Sequence, residues 1–130
     1  MSKFEKRLKK SSTSIDTAIV IGTAFGHLEE ILSIYKTVFV ISTSPPELKS
    51  KNLIYRENFN NLEQLGNIST IFVDKSQIHH LSSITPLGSR NRASVLVEGN
   101  EPIGRDLSGP LYASGYRCTD LQGLYHVWKI

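Results

Sequence analysis

Short, almost wholly apolar runs recur along the chain, with stretches of helical periodicity between them. Thr17 to Ile21 reads TAIVI, Thr37 to Ile41 reads TVFVI, Ser69 to Val73 reads STIFV and Ala93 to Val97 reads ASVLV. Runs of this length without polar alternation predict strands buried on both faces. Asn52 to Tyr55 predicts a shorter, edge-like strand. Leu28, Ile31 and Leu32 fall at i, i+3 and i+4, which predicts a helix from about Gly26 to Tyr35. Glu29 and Glu30 sit in its early turns, where carboxylates suit the helix dipole. A short helical turn is expected around Glu47 to Ser50, after Pro45 and Pro46. A small helix is expected with Leu62 and Leu65 facing inward and Gly66 ending it. Ser76 to Ile84 predicts a helix that stops before Pro86 and Gly88, because a proline disfavours helical backbone in the residue before it. Ile103 to Ser114 predicts a helix bent or broken at Gly109-Pro110. Gly115 to Leu121 and Leu124 to Ile130 alternate partially around Gln122-Gly123, as the strands of a terminal β-hairpin do.

Strands alternating with helices predict an α/β fold, with a mostly parallel sheet covered on both faces and closed by the antiparallel hairpin. At 130 residues the chain fits one domain, drawn as 17–130 behind a basic leader and linker at 1–16. In the leader, Phe4 and Leu8 supply one apolar stripe of a short helix, and Ser11 to Ser14 form a polar linker. Lys3, Lys6, Arg7, Lys9 and Lys10 face only Glu5 there, so the leader accounts for the formal charge of +3 and the rest of the chain is close to neutral. A solvated face is the simplest reading of such a run; contact with phosphates of a nucleic acid is the alternative it allows.

Hydrophobic residues at 39% and charged residues at 21% describe a globular chain and exclude a disordered one. No apolar run is long enough to span a bilayer, and the N-terminus lacks the apolar core of a signal peptide. A cytoplasmic location with no membrane contact is therefore expected. Cys118 is the single cysteine, which excludes an internal disulfide and argues against a cysteine-based zinc site. An inert, buried thiol is expected there. His79 and His80 are adjacent, so on a helix they point about 100° apart and cannot share one metal. Tyr112, Tyr116, Tyr125 and Trp128 gather near the C-terminus, and packing within the hairpin accounts for them. No G-x-S-x-G, P-loop, C-x-x-C or H-E-x-x-H pattern occurs, so hydrolase, nucleotide triphosphatase, redox and zinc-protease chemistry have no support.

The chemistry centres on the first strand's exit. Gly22, Thr23, Ala24, Phe25 and Gly26 form a small-residue turn between strand and helix, the usual opening of a nucleotide-binding α/β sheet. In such sheets ligands bind beyond the carboxyl ends of the strands. The other exits carry Ser42 and Thr43, then Glu57-Asn58-Phe59, then Asp74, then Glu98.

In element order the chain resembles the class I S-adenosylmethionine-dependent methyltransferases, a Rossmann-like three-layer sandwich whose sheet has the order 3-2-1-4-5-7-6. The resemblance runs from about Thr17 to Ile130. It aligns Gly22, Ala24 and Gly26 with the family's G-x-G-x-G turn. It implies S-adenosylmethionine as cofactor, with Gly22, Thr23, Ala24 and Gly26 along its methionine side. Ser42 or Thr43 would meet the ribose, and Asn58 and Phe59 would flank adenine. Asp74 is the best-placed carboxylate for catalysis. The chain departs from the family at Val20 and at Ser42 or Thr43, where acids are usual. A carboxylate accepts from both ribose hydroxyls, and one serine does not do so with equal strength. Some O-methyltransferases of similar fold hold a metal near the fourth and fifth exits, which would make Asp74, Glu98 and Asn100 its oxygen ligands. The preferred reading is that Asp74 caps the next helix and Glu98 is solvated, with no metal.

Nearly all residues are used by this core, and no segment remains for a substrate lid. A methyltransferase so built implies a large substrate, or a protein partner or second copy that completes its pocket. A non-catalytic interaction module explains the same economy.

Overall fold

The computed structural model describes residues 16–22, 27–59, 62, 65–98, 105–122 and 125–130. One sheet of seven strands organises them, in the order β3-β2-β1-β4-β5-β7-β6. The strands are β1 (Thr17–Ile21), β2 (Thr37–Ile41), β3 (Leu53–Arg56), β4 (Ile68–Val73), β5 (Ser94–Glu98), β6 (Arg117–Gln122) and β7 (Tyr125–Lys129). The helices are α1 (Leu28–Ile34), a 3-10 helix (Lys75–His80), α2 (Leu81–Asn91) and α3 (Arg105–Ala113). β1 to β5 pair in parallel, while β7 runs antiparallel to β5 and to β6. The Rossmann-like architecture with its terminal antiparallel hairpin is the one the strand pattern predicts.

The central strands are apolar throughout because both of their faces are covered. Ile19, Ile21, Ile71, Val73, Val95 and Val97 point to the side of α2 and α3 and join Leu81, Ile84, Leu111 and Trp128. Their neighbours Ala18, Val20, Phe72 and Leu96 point to the other side, against Ile31 and Tyr35. β3 lies at the edge and is only half buried, which explains its weaker apolar signal. Long-range polar bonds tie helix to sheet. The buried Tyr35 hydroxyl donates to Thr70 Oγ1 at 2.7 Å. The Asn52 side-chain amide donates to the carbonyls of Leu32 and Tyr35, at 2.8 and 2.9 Å, and so closes the C-terminus of α1.

Three expectations are corrected. Residues 47–50 form no helical turn; Ser50 Oγ instead donates to Asn52 Oδ1 at 2.5 Å, a local side-chain bond that competes with helix. The segment after β4 does not end before Pro86. It begins as the 3-10 helix and continues as α2 through Pro86 to Asn91. Pro86 is on the exposed face, where the carbonyl it leaves unpaired meets water, and burial of Leu81, Ile84 and Leu87 outweighs the lost bond. Likewise α3 runs unbroken across Gly109-Pro110, held by the buried Leu111. The leader and linker up to residue 15 lie outside the described residues, as does most of the segment where a small helix around Leu62 is expected.

Gly88 of α2 is a packing notch. A Cβ there would stand 2.5 Å from the Tyr116 hydroxyl. That hydroxyl donates to Ala93 O at 2.6 Å, tying the chain just after α3 to the start of β5. Burial pushes the Tyr116 phenol well above its ordinary value, so it remains a donor. Cys118 is half buried against the same core. Trp128 is buried with its ring edge-on to Tyr112 at 5.3 Å, while Tyr112 is half exposed. Among the described residues no helix is long and apolar enough to cross a membrane.

Candidate functional site

The chain moves from β1 outward to β2 and β3, then returns to the far side of β1 as β4. The sheet therefore opens at the β1/β4 boundary, where a doubly wound sheet places its ligand. Three strand ends are each extended by one further hydrogen bond. Gly22 N donates to Ile41 O at 2.9 Å, Ser42 N to Arg56 O at 3.2 Å and Asp74 N to Ile21 O at 3.0 Å. These bonds fix Gly22, Ser42 and Asp74 side by side at the rim.

Above them lies a cleft of about 320 Å³, floored by Ile21 and Ile41. Gly22, Ser42, Thr43, Asn58, Phe59 and Asp74, all singled out from sequence, line it. Thr23, Ala24, Gly26 and Asn100 lie outside the described residues. Glu57, Ser76, Gln77 and His80 also line the cleft. The last three were not expected there. Their signal was the cap at Asp74, which turns the chain over the β4 exit into the 3-10 helix and carries His80 back to the cleft.

Gly22 has φ +107° and no room for a side chain: a Cβ would lie 2.7 Å from Asp74 Cβ and 2.8 Å from its Oδ2. Glycine is thus required twice, by backbone conformation and by the close approach of Asp74. Asp74 is 3% exposed and accepts from Ser76 N at 3.2 Å, the expected helix-capping role. Glu98 is not simply solvated. It accepts from Lys75 N at 3.2 Å and lies beside Asp74. Burial pushes the Glu98 carboxyl above its ordinary value, and the neighbouring Asp74 pushes the same way, against the Lys75 N–H and His27. Among the described residues no group of three His, Cys, Asp or Glu side chains is placed to hold a metal ion.

The opposite wall is aromatic. His80 and Phe59 stand 4.9 Å apart between ring centroids, and His79 lies 4.0 Å beyond His80. Burial, then the His79 charge, pushes the His80 imidazole below its ordinary value, so its neutral form faces the cleft at neutral pH. Ser42 Oγ donates to Ser44 O, and Tyr55 donates to Ser42 O at 3.0 Å; together these bonds fix the backbone of the β2 exit.

No protein-family model matches the chain, and no curated protein matches it in sequence. Solved structures do match its fold. Precorrin-6y C5,15-methyltransferase from Geobacter metallireducens GS-15 aligns at a TM-score of 0.62 and 14% identity, over 97% of this chain and 86% of that one. The N-methyltransferase NodS from Bradyrhizobium japonicum WM9 aligns at a TM-score of 0.62 and 11% identity, over 98% and 94%. At such identities the likeness speaks for architecture. The chain has the class I methyltransferase-like fold.

The donor set of the cleft suits an adenosine-type ligand. An apolar floor and a ring wall can hold a base, and hydroxyls, an amide and a carboxylate at the rim can pair with a sugar. Its volume lies at the low end of the range of small-molecule sites.

Proposed function

We propose that the protein is a minimal S-adenosylmethionine-dependent methyltransferase whose cofactor site is modified. The observation that supports this most is the cleft itself: a methyltransferase-like fold carries an apolar-floored, polar-rimmed cavity at its β1/β4 opening. Gly22, with Thr23, Ala24 and Gly26, would bound the methionine side. Ser42 or Thr43 would meet the ribose, and Asn58 and Phe59 would flank the base. When bound, the cofactor supplies an already activated methyl group, so the protein's share of the work is positioning and exclusion of water. Asp74, beside Glu98 at the rim, is the carboxylate proposed to take the proton of the acceptor atom. A partner or second copy would complete the acceptor side.

A second reading, a non-catalytic interaction module, draws on Val20 and on the hydroxyls of Ser42 and Thr43, which stand where acids would favour the cofactor. Calorimetric titration with S-adenosylmethionine and S-adenosylhomocysteine separates the two. Micromolar binding, abolished by Thr43→Trp in a variant that keeps its circular dichroism spectrum, is the expected result; Thr43 is exposed at the rim, so the change fills the cleft without entering the core. No heat at millimolar ligand would remove the methyltransferase reading and leave the interaction module.

A further inference from the structure

Among the described residues Glu57 is the one carboxylate on the β2/β3 side of the cleft, and the cofactor contacts proposed so far leave it without a role. It follows β3 directly, and the strand register fixes where it stands. Ile41 is paired with Arg56, and Ser42 N donates to Arg56 O at 3.2 Å, so Glu57 emerges beside Ser42 and Thr43 at the same rim. Arg56 lies over the Phe39 ring at 5.5 Å, and this stacking anchors the residue immediately before Glu57. Glu57 is exposed, and neither ion pair among the described residues involves it.

The Ser42 hydroxyl donates its proton to Ser44 O. It can still accept a hydrogen bond, as can both oxygens of Glu57. A vicinal diol offers two O–H donors side by side, and a carboxylate is the side chain that takes both. Phe59 and His80, in the same cleft, supply the ring wall for a base attached to that sugar.

We infer that Glu57 is the ribose-binding carboxylate of this chain, supplied from the exit of β3 to a rim where β2 offers only hydroxyls. The inference rests on the adenosyl-ligand reading above and adds to it the residue that selects for an intact 2′,3′-diol.

The test is calorimetry of the full chain and its Glu57→Gln variant with S-adenosylhomocysteine and with its 2′-deoxy and 3′-deoxy analogues. Glutamine keeps the shape but loses the charge and one acceptor, and at an exposed loop position it should leave the melting temperature unchanged. The variant should bind S-adenosylhomocysteine about tenfold more weakly. The wild type should bind each deoxy analogue more weakly by a similar factor, and the variant should lose little more on those analogues. The loss should also persist at 0.5 M salt, because a direct contact to a neutral sugar is poorly screened.

Unchanged affinity in the variant overturns the inference while leaving the cofactor reading intact. An equal loss on the diol and deoxy ligands also overturns it, by assigning Glu57 to the base. A loss that vanishes at high salt overturns it too, as a long-range attraction to the ligand's ammonium. Absence of any heat with the wild type overturns the cofactor reading itself, and this inference with it.

Discussion

Replacing Gly88 with alanine tests the packing between α2 and the segment that follows α3. Gly88 is inside a helix, where alanine is favoured over glycine by about 0.8–1 kcal/mol. Propensity alone therefore predicts a more stable protein. The structure predicts the opposite, because the new Cβ would meet the Tyr116 hydroxyl at 2.5 Å, with Ile71 Cδ1 next at 3.2 Å and Tyr116 Cζ at 3.5 Å. The hydroxyl cannot swing aside without breaking its 2.6 Å bond to Ala93 O. Forcing a methyl into such a contact costs about 1–3 kcal/mol, so the helix gain is cancelled and Gly88→Ala should destabilise by up to about 2 kcal/mol.

Tyr116→Phe removes the obstructing oxygen. It should itself cost about 1–2 kcal/mol, through the buried bond lost and the Ala93 carbonyl left without it. In the double variant the nearest remaining atom is the mobile Ile71 methyl, so introducing Gly88→Ala on top of Tyr116→Phe should cost roughly 0.5 kcal/mol or less. The coupling energy is then up to about 2 kcal/mol, read from a double-mutant cycle. Urea unfolding followed by fluorescence of Trp128, the single tryptophan, measures all four proteins. A shift of about 2 kcal/mol moves the midpoint by roughly 1 M. Costs that simply add, or a stabilising Gly88→Ala, would refute the notch.

Two further outcomes follow from single contacts. Asn52→Ala removes both bonds that close α1 and should lower stability by about 1–2 kcal/mol. Asn52→Asp should be worse than alanine, because it faces two carbonyls with a charge and no donor; urea midpoints that rank the two the other way would show that the amide is dispensable. Burial pushes the His126 imidazole below its ordinary value, and its Nδ1 has no hydrogen-bond partner among the described residues. The unfolded chain therefore takes up a proton near pH ~6.5 that the fold resists. Stability from this group is complete above that pH and falls as pH drops through the lowered folded value. His126→Phe should flatten the stability profile below about pH 6.5, and an unchanged acid slope in urea titrations would rule His126 out as its source.

The strands were legible because their signal is local. β1 and β2 are apolar at consecutive positions, and a chain buried on both faces needs nothing more to declare itself. The order of elements and the terminal hairpin follow from the same runs and the turns between them. The two prolines were not legible. Whether Pro86 or Pro110 breaks a helix depends on which face it occupies and on what the remaining turns bury, and these are tertiary quantities.

The site divides in the same way. Gly22, Ser42 and Asp74 could be named in advance because parallel sheets bind at strand ends. Why Gly22 must be glycine could not, since its closest neighbour is Asp74, which arrives from β4. His80 and Glu57 reach the cleft only through the cap at Asp74 and the β2/β3 register, and the meeting of Asp74 with Glu98 needs the β4 and β5 exits brought together. Apolar periodicity, written in neighbouring residues, determined by itself which segments become sheet and helix. Which polar groups meet at the sheet's edge was decided only by the packing, because those meetings join residues far apart along the chain and no local pattern encodes them.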